Sequence, residues 1–551
     1  MHRALPFLFA LLLAGLCAAA PALAGGPARD RAEAAHAALL DGDAAKARDL
    51  ATEALESGEL DAQDRAVTHK LRGAARHALG DLQGALADYS AAVSLFPHYA
   101  EAYVNRAAAW FDLGEKDAAL ADLDQAIELK PDAAAAYFNR ARVREAMGDA
   151  PGAVRDYNAA LALAPDDPPA LVARGRLYEA MGAPDLALAD YERAATLAPD
   201  AAEPFLGRGA LRLRRAELDT AEADFRRAAG LAPDLAAPRL GLAQVARARG
   251  NAAQAEAELT AALRLDPGLG QAHNDRGALR DAAGKAKEAL EDYTRAVGLA
   301  RSAAEAAGYL ANRGLCTRSL GRLREAATDL AKAAALDPEN ARYHALHGDI
   351  LLDLGDAGAA EADLSRALEL ENPPADTRYL RAEARRRLGK LAEAEQDLGR
   401  CLEDSCHSLA GLRRGLVRLA QGRATEAVAD LRPLAGANAP NTTILLSLAE
   451  TRAGREIDFA LLRRTRAALG REWPAPVLYF LLAEMPASDL LASAEDDADK
   501  ATLAAVAVAF SQVAHGQRVE AVRTLREAEP KAPQAAPWTT LLRSELERLG
   551  F

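Results

Sequence analysis

The 551-residue chain has only four cysteines, and aromatic residues make up just 5% of it. Four cysteines cannot staple a fold of this length, so packing must supply its stability. No basic face is present. The formal net charge is −13, and its acidic and basic residues are interleaved, which excludes the positive stripe that nucleic acid requires. The sequence contains no H-E-x-x-H, no G-x-x-x-x-G-K and no G-x-S-x-G, which removes the common zinc-hydrolase, phosphate-loop and serine-nucleophile chemistries. A non-enzymatic chain without metal or cofactor is the expectation. Alanine and leucine dominate instead: half the residues are hydrophobic although aromatics are rare. Both are strong helix formers, and alanine lets helix axes come close.

At the N-terminus Arg3 precedes an apolar run from Leu5 to Leu16, and small residues follow to Ala22-Leu23-Ala24 before Gly25. That is the form of an export signal with an A-x-A cleavage site, so residues 1–24 are expected to direct the chain out of the cytoplasm, to the periplasm or cell envelope. Cleavage would leave Cys316, Cys401 and Cys406. Attachment through Cys17 would instead give a lipoprotein, although Leu16 stands where such signals want a small residue. Retention as an anchor is a third outcome. No other stretch approaches the ~18 apolar residues of a membrane span.

Punctuation then reveals a period. Pro97, Pro131, Pro165, Pro199, Pro233 and Pro267 are 34 residues apart. Gly80, Gly114, Gly148 and Gly182 keep the same step, resumed from Gly250 to Gly422. So does an alanine series from Ala85 to Ala427, broken only by a three-residue insertion before Ala326 and a one-residue deletion before Ala427. Self-similarity of this length marks a solenoid. Within one unit, Tyr103, Ala107, Trp110 and Phe111 predict a helix over 100–113, Gly114 a stop, and Ala119, Leu123 and Ile127 a second helix over 116–129. Pro131 closes the unit.

Tyr103, Ala107, Gly114, Ala119, Leu123, Ala126 and Pro131, with Tyr137, Ala141, Gly148, Ala153, Tyr157, Ala160 and Pro165 in the next unit, resemble the tetratricopeptide repeat. The resemblance implies an all-α solenoid of stacked helix-turn-helix units. Later units drift, with Ala216 replacing a glycine. The expected organisation is a signal at 1–24, a degenerate unit at 25–65, an eleven-unit array at 66–436, and a C-terminal helical region at 437–551. That last region holds a degenerate unit around Gly516 and a capping helix from Leu541 to Leu549.

A second regularity crosses the units. Arginine recurs on the first helix at 72, 106, 140, 174, 208, 276, 313, 381 and 414, and an acid on the second from Asp88 to Asp430, with Leu242 and His347 breaking the arginine series. An ion pair between the two helices of each unit is expected. His344 and His347, one turn apart near Asp349, form a conceivable metal pair, but both stand at repeat positions and read as substitutions there. Cys401 and Cys406 are followed by His407, which resembles a haem c attachment sequence with two extra residues. Cys401 stands at a buried alanine place, however, and a local disulfide is the expected use.

The resemblance further implies that the first helices line a concave groove holding a protein or peptide partner. Its lining is expected at Glu101, Asn105, Phe111, Asn139, Arg142, Glu145, Arg176 and Glu179, with Asn312 repeating the place of Asn105 and Asn139. An amide offers an extended backbone both donor and acceptor. The family's carboxylate clamp is incomplete: Lys70 and Asn105 fit, but Ala74, Ala135 and Asn139 stand at its other places. Three functions are carried forward: an envelope scaffold or adaptor, an accessory subunit of envelope polysaccharide export, and a redox or haem protein built on Cys401, Cys406 and His407.

Overall fold

The computed structural model describes residues 26–494 and 497–551, so the expected export signal lies outside the described residues. All regular structure among the described residues is helical. Contacts divide the chain into two compact units, one ending at Asp266 and the other beginning at Pro267. Each unit is a stack of antiparallel helix pairs, with each pair packed on the next.

The pair anticipated from sequence forms at Ala100–Asp112 and Lys116–Leu129. Gly114 joins the two helices at φ 88°, in the left-handed region where a Cβ is costly. Ala216, standing where the period wants glycine, is forced to φ 60°. Several second helices begin with an acidic cap directly after the glycine. Asp81 accepts from the Gly84 amide at 2.9 Å and Asp149 from the Gly152 amide at 3.0 Å, satisfying donors that the helix itself leaves open.

The alanine series is the contact line between the helices of each pair. From Ala85 to Ala427 each member is at most 1% exposed, because a larger side chain there would separate the axes. A large residue one turn later fills the space beside it, as Tyr89, Tyr157 and Tyr191 do. Neighbouring backbones approach these rings closely: a Cβ on Gly207 would come within 2.6 Å of the Tyr191 ring. The three-residue insertion is absorbed by lengthening one first helix, Ala303–Ser319, to 17 residues where Gly270–Ala282 has 13.

The expected ion-pair ladder is present. All nine arginines of the series place Nη2 or Nε within 2.6–2.7 Å of their own unit's aspartate. The pairing is bidentate, as at Arg174, whose Nε and Nη2 donate to the two oxygens of Asp190. The carboxylates are buried, so these are not the weak pairs of a protein surface. The remaining Nη1 reaches the preceding unit: Arg106 donates to Ser90 at 3.3 Å, Arg140 to Asp124 at 2.7 Å and Arg174 to Asn158 at 2.6 Å. One guanidinium thus ties a unit both to itself and to its neighbour.

Sequence reasoning missed a second arginine. Arg76, Arg144, Arg212, Arg280, Arg385 and Arg418, each four residues after a ladder arginine, also pair with the same aspartates. The two breaks in the series are compensated. Arg239, one turn before Leu242, reaches Glu258 at 3.1 Å, a longer acid meeting a more distant cation. His347 and His344 place Nδ1 2.6 Å and 3.3 Å from Asp363. Burial alone would raise the Asp363 carboxyl, but its two imidazole contacts outweigh burial and leave it lowered.

The C-terminal part packs differently. Pro440–Arg452 is buried on all sides from Thr442 to Glu450, as is Ala498–Ala514 from Thr502 to Phe510. Helices buried all round sit inside a core rather than on its edge. One continuous apolar cluster runs here from Leu416 to Leu549, whereas the array's clusters each span only a pair or two, such as Ala107, Ala119, Leu123 and Val143.

Candidate partner-binding face

Within the first unit the first helices of successive pairs touch one another, Ala100–Asp112 on Ala134–Met147 and Pro168–Ala180 on Glu203–Arg214. They form one layer, on which the expected groove residues of this unit lie. Arg142 and Arg176 hold equivalent places one period apart, as do Glu145 and Glu179. Arg142 lies over the Phe111 ring, 5.6 Å from its centroid, an attraction between cation and ring face. Arg176 is exposed. Glu145 accepts from the buried Tyr157 hydroxyl at 3.1 Å, and Glu179 pairs with Arg214 and hydrogen-bonds Tyr191. Burial, then the adjacent carboxylates, push both phenols well above the ordinary tyrosine range. The tyrosines thereby fix the acids, and the acids present charge at a spacing set by the repeat.

The amides behave less uniformly than their shared position suggests. Asn105 is buried, Asn139 half-buried, and Asn312 belongs to the second unit, where its Nδ2 donates to Asn274 at 2.9 Å. Glu101 is bound to Lys130 at 3.0 Å. Lys70, which fits the carboxylate clamp by position, is buried and lies over the Tyr99 ring at 5.4 Å. Burial holds its ammonium below the ordinary lysine range, with Glu101 opposing.

Asp349, grouped with His344 and His347 by sequence, pairs instead with Arg318 at 2.6 Å, while both imidazoles face Asp363. Cys401 and Cys406 form a disulfide with Cα atoms 4.9 Å apart. His407 stacks on Tyr379, centroids 3.8 Å apart and planes within 8°, and its Nδ1 accepts from the Leu409 amide at 3.1 Å. Both sulfurs are thus bonded to each other and the imidazole is occupied by a ring stack and a turn.

In the second unit the first-helix face changes character. The places of Arg142 and Glu145 are taken by Glu383 and Arg386 on Thr377–Arg387, then by Leu416 and Leu419 on Ala410–Ala420. All but Glu383 are at most 3% exposed: the C-terminal helix Pro537–Leu549 lies against Ala410–Ala420, and Arg386 meets Thr540 and Ala535. The substitution of leucines for charges was visible in the sequence, but it carries meaning only once the covering helix is seen.

Family models described as "Tetratricopeptide repeat" match residues 71–126, 168–201, 314–376 and 345–404, and one described as "TPR repeat" matches 109–148. No curated protein matches the chain. Among solved structures, a tetratricopeptide repeat protein from Parabacteroides merdae is 23% identical over 43% of this chain and 93% of its own, with a TM-score of 0.36. YrrB, titled a TPR protein with an unusual peptide-binding site, is 23% identical over 32% of this chain and 92% of its own, at 0.29. Pseudomonas aeruginosa pilF is 17% identical over 38% of this chain and 95% of its own, at 0.35. The 34-residue period, the helix pairs built on it and the family matches along it make this chain a tetratricopeptide-repeat protein.

Proposed function

We propose that this protein is a non-enzymatic scaffold or adaptor of the cell envelope, which holds a partner protein or peptide on the first-helix face of its first unit. Tetratricopeptide-repeat proteins bind protein or peptide partners in general. The observation that carries the more specific reading is the row formed by Arg142, Arg176, Glu145 and Glu179. These charges recur at the repeat spacing on one face, and Arg176 is exposed. A patterned face of fixed charges selects a partner by complementarity and steers its approach. Supporting export is the segment before Gly25, with its charged start, apolar run and A-x-A end.

The test has two arms. Fractionation of expressing cells, with N-terminal sequencing of the mature chain, should place it in the envelope beginning at Gly25; an intact cytoplasmic chain would remove the envelope role. Crosslinked complexes of the wild type and of an R142E/R176E double variant should differ in one recovered partner. Equal recovery by both would remove the first-helix face as the binding surface.

A further inference from the structure

On Pro537–Leu549 the residues Trp538, Leu541, Leu542, Glu545, Leu546 and Leu549 fall on one stripe, and all are buried. That spacing is the signature of an amphipathic helix lying in a groove. The receiving surface is the first-helix face: Leu416 and Leu419 share one apolar cluster with the helix. Polar anchors frame the contact. Arg386, its side chain 1% exposed, is held by Glu383. It donates to Thr540 Oγ1 and to the Ala535 carbonyl at 3.1 Å, groups 154 and 149 residues further along the chain. Glu545, equally buried, joins Arg452 and Arg548, and Arg452 also lies 4.6 Å from the Phe510 ring centroid.

We propose that the first-helix face over Thr377–Ala420 is a helix-binding groove whose built-in ligand is Pro537–Leu549, and that a partner helix with the same stripe competes for it. Alongside its apolar stripe the contact buries the charged side chains of Arg386 and Glu545. A permanent core gains most from apolar packing, whereas buried arginine and glutamate, each needing a geometrically matched partner, give selectivity at a cost in stability. The connection is suited to release, since no helix spans Ala532–Ala536 between the short turn Glu529–Lys531 and Pro537. The helix also rests on Ala498–Ala514 and Arg518–Ala528, so release uncovers the end of the stack as well as the groove.

The experiment uses the full chain and a fluorescein-labelled synthetic peptide of residues 533–551, with binding read by anisotropy. In the wild type the resident helix holds the groove, so the apparent affinity falls by the fraction of open molecules. An L541A/L542A variant, altered only in the resident helix, should bind the peptide about tenfold more tightly than wild type. Adding R386A on the groove side should reverse most of that gain. A peptide carrying W538A and L542A should bind neither protein. The idea is overturned if the loosened variant binds no better than wild type, or if R386A leaves its affinity unchanged. Hydrogen exchange of the wild type is a second reading that depends on no variant: Pro537–Leu549 should open before Ala498–Ala514. Opening of both together would make the helix a permanent part of the core and end the proposal.

Discussion

The same two places on the first helix are arginine and glutamate at 142 and 145, and leucine at 416 and 419. At 142 and 145, and again at Arg176 and Glu179, they carry charge on the first-helix face; at 416 and 419 they are buried under another helix of the chain. The scaffold beneath is alike in both, with a ladder pair at Arg140–Asp156 and at Arg414–Asp430, both at 2.7 Å. The repeat therefore separates two tasks. Positions facing the partner helix of the same pair hold the stack together, and positions facing outward on the first helix are free to vary with what covers them.

The difference in core architecture gives the largest expected effect. Leu542 is fully buried in the C-terminal cluster, so Leu542→Ala should cost about 3 kcal/mol. Hydrogen exchange should show the loss first over Pro537–Leu549 and none over Ala100–Leu129, because stability in a stack is a matter of near neighbours. Loss spread evenly over both regions would break the comparison.

Next is the ladder. Arg174 pairs with Asp190, and Arg174→Ala strands a buried carboxylate at a cost of about 3 kcal/mol. Arg140→Ala should cost clearly less, since Arg144 remains on Asp156 at 2.5 Å. Denaturant unfolding of the two variants, each compared with wild type, checks the order.

Acid should then separate the regions. Burial raises the Asp88 and Asp292 carboxyls, but their arginine and histidine contacts outweigh it and leave both lowered. A lowered folded value contributes stability above the unfolded value near 3.9, and that contribution is lost as pH falls through the folded value. Glu450 in the C-terminal core is shifted the opposite way, raised by burial against the pull of Arg432, so its protonation relieves a cost as pH falls. Between pH 6 and pH 3, exchange protection should drop over Ala62–Leu95 more than over Pro440–Arg452. The reverse order would contradict this assignment.

Two smaller effects sharpen the account of individual positions. Ala216→Gly should stabilise by about 0.5–1 kcal/mol by removing a left-handed alanine, offset in part by unfolded-state entropy. Arg142→Glu should cost about 0.5–1 kcal/mol, the attraction lost from the Phe111 ring. Thermal melts of both variants test these values.

Much of this was legible in the sequence because each signal repeats. The bounds of the helices, the buried alanines and the arginine–aspartate pairs all follow from markers in phase, and each unit confirms the reading of the others. The second arginine was missed because it looks like any exposed helix cation until Asp156 is found accepting from both Arg140 and Arg144. The amides differ for a related reason: Asn105 and Asn312 share a repeat position, yet one is buried and the other bonded to Asn274.

The sequence by itself determined the helix pair, its period and the contacts inside each pair, since these depend on residues at most a few dozen positions apart with a fixed local geometry. Only the tertiary structure decided which parts of the first-helix face are covered by the chain itself. Arg386 meets Thr540 and Ala535 from 154 and 149 positions away, and no local periodicity encodes which distant stripe a given row of leucines will meet.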